Sequence, residues 1–260
     1  MDLYDIMQNH LGLFFLILTR ISGVFMIAPF FGSINIPIYL RVGASFAISL
    51  VLFPIVDAQF SLQIPETLLG YALAIITELI VGWLIGFSAM IIFSAINMAG
   101  KLLDMQVGFA IVNVVDPTSG QQIPLIASFQ YNLGLIIFLV TNSHHLVLAG
   151  LFESFNLVPV LGATFNLSLT AIFVDLTWGI FITGMKIALP VLFAILLTDV
   201  GLGVLARTMP QMNIFVVGIP AKIVIGLFVL SMALPFYILF LGVMFNEMYV
   251  DIFMVLRALQ

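Results

Sequence analysis

The chain has 260 residues, 63% of them hydrophobic and 7% charged, with a mean hydropathy of +1.29 and a formal net charge of −5. Its 7 Lys+Arg and 12 Asp+Glu are too few to coat a soluble domain of 28.5 kDa, which excludes a water-soluble enzyme. Basic residues spread singly along the chain offer no stripe to displace counterions from a phosphate backbone, so nucleic acid is excluded, and zero cysteines exclude a disulfide framework, a thiolate nucleophile, an iron–sulfur cluster and a Cys-based zinc site.

The N-terminal MDLYDIMQNH carries Asp2 and Asp5 where a cleavable signal peptide needs basic residues, so the first apolar run is expected to stay in the protein. Apolar windows long enough to cross roughly 30 Å of hydrocarbon fall at 11–31, 41–57, 70–100, 125–141, 167–198 and 213–245. They predict an all-α polytopic membrane protein of about six long hydrophobic helices arranged as hairpins. Helices over 70–100 and 167–198 would be about 45 Å long at 1.5 Å per residue, so they must tilt, break or project beyond the lipid. In the third segment Gly82 and Gly86, at GxxxG spacing beside Trp83, admit the close approach of another helix backbone, read as packing within the chain. Arg41, Lys101, Arg207 and Lys222 fall on one side of this arrangement and Arg257 on the other. The positive-inside rule therefore turns the loops near 31–41, 101–124 and 199–222 to the cytoplasm and both termini outward.

Four ionisable residues interrupt the apolar runs: Arg20, Glu78, Asp175 and Lys186. A charge at such depth is expensive and is normally paired or functional. Asp175 and Lys186, eleven residues apart, return to one helix face within about 20°. Two readings fit this polar stripe: a conduit or proton path, or charges each paired with a neighbouring helix. Pro190 and Pro235 deprive the carbonyls of Lys186 and Ser231 of their helical donors, so both C-terminal helices are expected to kink. His144 and His145 are adjacent and point about 100° apart on a helix, which argues against a shared metal. The thirteen Met are scattered and suit adaptable packing. No nucleophile elbow, zinc-protease, phosphate-loop or dinucleotide motif is present.

Two stretches stand apart in composition. KLLDMQVGFAIVNVVDPTSGQQIP, 101–124, mixes apolar residues with two acids, Gly108, Gly120 and Pro117 and shows no clean helical stripe, so it reads as a structured loop or a broken helix. Such backbone near a membrane survives only buried in protein or lining a water-filled cavity, which makes this segment the candidate pore or gate. DVGLGVLARTMPQMNIFVVGIPAK, 199–222, reads as a tight cytoplasmic reversal with helix breaks on both sides, its apolar tip packed on protein or headgroups.

Within that hairpin LARTMPQMNIFVVGIPAK, with Arg207, Pro210, Gln211, Asn213, Gly218, Pro220 and Lys222, resembles the signature of the FliR family of flagellar export-gate proteins, whose injectisome counterparts are SpaR and YscT. The resemblance continues in the central segment through Gly100, Gln106, Gly108, Phe109, Asp116 and Pro117, and in NSHHLVLAGLFESFNLVP through His144, Ser154, Phe155 and Pro159. Ser143 departs from it where the family often has Gly. Length, apolar segments and motif order agree over essentially all 260 residues.

The resemblance implies a subunit of the type III export gate in the bacterial inner membrane, within the flagellar basal body, with an injectisome export gate as the alternative. Its implied partners are FliP-type and FliQ-type subunits, FlhB and FlhA, the basal-body ring, membrane lipid and unfolded export substrates. It divides the chain into a FliP-like part, 1–165, and a FliQ-like C-terminal hairpin, 166–260. It makes the central loop from Met105 to Pro117 the plug of the closed channel, with Phe109, Ile111 and Val112 as constricting side chains. The hairpin from Arg207 to Lys222 then contacts FliQ-type neighbours and the FlhB-type loop. No cofactor and no catalysis are implied, and transport draws on the proton gradient and a separate ATPase. A secondary transporter is the main competing reading, but it predicts paired interruptions in two halves of the chain that the sequence does not contain. An intramembrane enzyme needs a convergent catalytic set, and none is found.

Overall fold

The structure, a computed structural model, describes residues 3–33, 36–59, 64–65, 67–109, 124–211 and 213–260. Among them the chain is all helical: α1 (Leu3–Ile27), α2 (Ile38–Gln59), α3 (Leu68–Val107), α4 (Leu125–Val140), α5 (Ser143–Leu157), α6 (Leu167–Thr208) and α7 (Ile214–Ala258). Five of these are long and apolar enough to cross a membrane, and α4 with α5 makes a sixth when the broken pair is taken as one span. The expectation of about six hydrophobic segments holds, because helices satisfy every backbone group internally where lipid offers no partner.

The ends of the elements have local causes. Pro37 precedes α2 and its carbonyl accepts the N–H of Leu40 (3.0 Å). Thr67 caps α3, its hydroxyl accepting the N–H of Gly70 (3.2 Å). Gly108, at φ +104°, carries the chain out of α3 through a conformation closed to most side chains. Asn142, at φ +57°, interrupts the run between α4 and α5.

Several boundaries differ from expectation. The fourth apolar run is not a span on its own: α4 has 16 residues and gives way to α5 after Asn142. The third helix continues through 101–107, so Met105 and Gln106 are helical and not in a loop. The breaks expected beside the C-terminal hairpin do not occur. Gly201 and Gly203 lie inside α6, Pro220 inside α7, and only 209–213 separate the two helices. Long apolar flanks outweigh isolated breakers, since abandoning helical hydrogen bonds in an apolar setting costs more than one missing N–H.

The chain packs as two compact units, each drawn from separate stretches. The first comprises Met1–Ile91, Asn142–Leu176 and Phe245–Gln260. In it α1 and α2 run antiparallel, with the Phe14 ring edge-on to Phe46 and Phe53 at 5.5 and 6.0 Å. Along the α1–α3 seam the backbones touch: a Cβ on Gly82 would stand 2.2 Å from the carbonyl oxygen of Arg20, and one on Gly86 would stand 3.1 Å from that of Val24. The GxxxG pair thus serves packing within the chain. The second unit comprises Ile92–Thr141 and Thr177–Met244. Its core joins Leu103 and Val107 of α3, Ile126 of α4, Val191 and Ile195 of α6 and Leu230 of α7.

Candidate functional site

Two of the four expected intramembrane charges form one buried lock in the first unit. Arg20 on α1 and Glu78 on α3 are both 0% exposed, and Arg20 Nε donates to Glu78 Oε2 at 2.5 Å. Arg20 Nη1 also donates to the carbonyls of Ser154 (3.0 Å) and Val158 (2.8 Å), where α5 ends, and the guanidinium lies 4.5 Å over the Phe155 ring. Glu78 Oε1 accepts the N–H of Leu161 at 3.0 Å, in a turn where Leu161 stands at φ +69° and the N–H of Gly162 returns to Pro159 O. One ion pair therefore ties together α1, α3, the end of α5 and the turn that follows. At Arg20 and Glu78 the cost of burying charge among apolar helices is met by a neighbouring helix. The other two, Asp175 and Lys186, lie exposed on α6, and neither makes an ion pair among the described residues.

The central segment leaves α3 in the second unit. Met105 and Gln106 are exposed on the last turns of α3, Gly108 is buried, and Phe109 is half-buried against the core cluster of Leu103, Val107 and Ile195. Ile111, Val112, Asp116 and Pro117 lie outside the described residues. The stems on either side are pinned. Asp104, 5% exposed, accepts the N–H of Ile126 through Oδ1 (2.8 Å) and that of Ala127 through Oδ2 (3.1 Å). These are the first-turn donors that an N-cap side chain normally satisfies, and Pro124, the residue at the cap position, has no side chain able to do so. The carboxylate also sits against the positive end of the α4 dipole. A Cβ on Gly100 would stand 2.2 Å from Ala127 Cα, so the α3 and α4 backbones meet at the same place.

Asp104 is not singled out by the sequence. The signal that would have found it is a mismatch: α4 begins after a proline with no Ser, Thr, Asp or Asn at its cap, and an acid, Asp104, stands twenty residues before that proline at the end of a long apolar run.

The hairpin motif sits in the same unit. Arg207 is exposed in the last turn of α6, Pro210 and Gln211 are exposed in the reversal, and the carbonyl of Asn213 accepts the N–H of Val216 (3.1 Å) to open α7. Gly218 is buried and Pro220 exposed, both within α7. Lys222 of α7 pairs with Asp199 of α6 and closes the hairpin at its neck. Ile219, between Gly218 and Pro220, is the residue that a Cβ on Gly108 would meet, at 3.6 Å. The fold thus brings the start of the central segment beside the hairpin motif, although some 100 residues separate them in sequence.

The His144 and His145 rings lie against each other, centroids 4.2 Å apart and planes tilted by 38°, and among the described residues no three His, Asp or Glu are grouped to hold a metal. The polar investments of this molecule are a helix lock, a pinned stem and a closed hairpin. They define an all-helical integral membrane protein whose polar side chains position backbone. Residues 11–248 match the model of a family described as bacterial export proteins, family 1, and the chain belongs to that family. It is similar to the flagellar biosynthetic protein FliR of Bacillus subtilis, 38% identical over 84% of either chain. It is also similar to the FliR proteins of Aquifex aeolicus, 30% identical over 83% of each chain, and of Escherichia coli, 27% identical over 92% of this chain and 90% of that one. The resemblance read from three sequence motifs is thereby borne out. Family and membrane-spanning helices together make this a protein of the bacterial inner membrane at the flagellar basal body, serving flagellum assembly and protein export. The relatives are named as biosynthetic proteins of the flagellum, not as enzymes.

Proposed function

We propose that this chain is a channel subunit of the flagellar type III export gate, assembled with FliP-type and FliQ-type subunits beside FlhB and FlhA. In this reading 1–165 is the FliP-like part, 166–260 the FliQ-like hairpin, and the segment from Met105 to Pro117 plugs the conduit at rest. The observation that carries the plug is the pinned base made by Asp104 and by the Gly100–Ala127 contact. A segment that must yield to a passing polypeptide and then return needs fixed stems, and a bidentate carboxylate ties the end of α3 to the start of α4. Apolar side chains such as Phe109, Ile111 and Val112 suit a seal that excludes ions by dewetting yet forms no bond a substrate must break. The hairpin from Arg207 to Lys222 presents exposed residues for FliQ-type neighbours and the FlhB-type loop.

The test is secretion of flagellar substrates by a strain lacking the gene, with and without its restoration. Loss of secretion and filaments, rescued by the gene, is expected. Normal secretion and motility in the deletion strain overturn the reading. For the plug, replacing Phe109, Ile111 and Val112 together with Gly should raise the resting ion conductance of the assembled gate, and unchanged conductance refutes the assignment.

A further inference from the structure

In the second unit the central segment leaves α3 against both arms of the C-terminal hairpin. A Cβ on Gly226 of α7 would stand 2.8 Å from Val107 Cγ2 and 3.3 Å from Ile195 Cδ1 of α6, so Val107, fully buried, is seated on both arms where α7 has no side chain. Gly108 follows beside Ile219 of α7, and Phe109 packs with Ile223 on the cluster that contains Val107 and Ile195. Three successive residues at the base of the segment are therefore gripped by the hairpin. The ion pair of Asp199 and Lys222 lies at the same level: Asp199 follows Ile195 by four residues on α6, and Lys222 stands between Ile219 and Gly226 on α7. It is the one ion pair between the two arms among the described residues. Toward the tip α6 buries nothing further, and from 196 to 208 only Thr198, Leu202 and Ala206 are even half-buried. The pair is thus the specific tie nearest the gripped residues. Its side chains are 24% and 42% exposed, so water can take over both charges when the arms part. That separates it from Arg20 and Glu78, which are wholly buried and would be left uncompensated.

We propose that Asp199 and Lys222 form a reversible latch that holds the hairpin shut on Val107, Gly108 and Phe109 and so keeps the central segment seated at rest. The inference rests on the plug reading above and adds the device that regulates it. With the latch shut, Ile195, Ile219 and Gly226 stay around the exit from α3. With the latch open the arms splay at their neck, and Phe109 and the residues after it are released. Asp104 continues to hold the start of α4, so the segment stays tethered at its far stem and can return. The energy scale suits this part. A half-exposed pair biases a closed–open equilibrium by a small factor, enough to favour the closed state and little enough for a passing polypeptide to overcome.

The test measures resting ion conductance of the assembled gate with Asp199→Asn or Lys222→Met, which remove the attraction and keep side-chain volume. Each should raise it roughly three-fold, the population shift that a half-exposed pair can hold. Asp199→Lys together with Lys222→Asp should bring it back. The chain has no cysteine of its own, so Asp199→Cys with Lys222→Cys lets a cleavable thiol crosslinker tie the arms. Tied, the gate should secrete flagellar substrate roughly ten-fold less than chains carrying either change alone and treated alike, as a blocked conformational step does. Cutting the crosslink should restore secretion. Unaltered conductance in both neutral variants overturns the latch, and so does a lowered melting temperature with conductance unchanged, which would make the pair a hairpin staple only. Secretion undiminished by the tie overturns it as well, and this arm decides where a neutral variant fails to accumulate. A leak on replacing Phe109, Ile111 and Val112 with Gly, but none from Asp199→Asn or Lys222→Met, refutes the latch alone. No leak from any of them refutes the plug reading with it.

Discussion

Arg20 and Glu78 show how a buried charge is tolerated in an apolar helix bundle. Each is fully removed from solvent, and the pair survives because the guanidinium spends itself on Glu78, two carbonyls and the Phe155 face, while the second carboxylate oxygen holds the Leu161 amide. Removing one partner leaves the other charge buried and uncompensated. Glu78→Ala should therefore lower unfolding stability by about 3–5 kcal/mol, whereas Arg20→Met with Glu78→Leu should recover most of the loss. Thermal unfolding of the detergent-purified chain checks both, and equal damage from single and double variants would show that the pair is not the source of the stability. The sequence exposes these two residues at once, since a charge in an apolar run is conspicuous. Their pairing is not legible there, because 58 residues separate them and the guanidinium's other ligands are backbone atoms whose position only the fold sets.

At the scale of elements, the seam between α1 and α3 depends on missing side chains. A methyl group on Gly82 collides with the Arg20 carbonyl at 2.2 Å and would push apart the two helices that carry the ion pair, while Gly43 of α2 has nothing within 4 Å of where a Cβ would stand. Gly82→Ala should lose about 1–3 kcal/mol through overpacking despite the better helix propensity of Ala. Gly43→Ala should gain about 0.5–1 kcal/mol. Opposite shifts in the melting temperatures of the two variants are expected, and a stabilised Gly82→Ala would rule out the tight seam. GxxxG spacing was enough to locate this contact, since its period matches a helix face. Helix lengths were less legible: breakers such as Gly201, Gly203 and Pro220 have the same local preference wherever they stand, and only the surrounding apolar run decides whether the helix continues through them.

Across the whole molecule, Asp104 connects helix capping to the proposed gate. Asp104→Ala strips the first-turn donors of α4 of their acceptor and should cost about 1–2 kcal/mol of stability. If the pinned stems hold the plug, the same variant should raise the resting conductance of the assembled gate, and stability lost with conductance unchanged would confine Asp104 to a structural part. Composition alone determined the solvent of this protein and its all-helical class, because an apolar chain in lipid has few ways to satisfy its backbone. Periodicity gave the number of apolar segments, and three short motifs gave the family. The tertiary structure decided where those motifs meet: Gly108 beside Ile219, Asp104 at the head of α4, and Lys222 on Asp199. These are long-range contacts between side chains and backbone groups. A one-dimensional pattern records which residues need partners, and three-dimensional packing alone determines which partners they find.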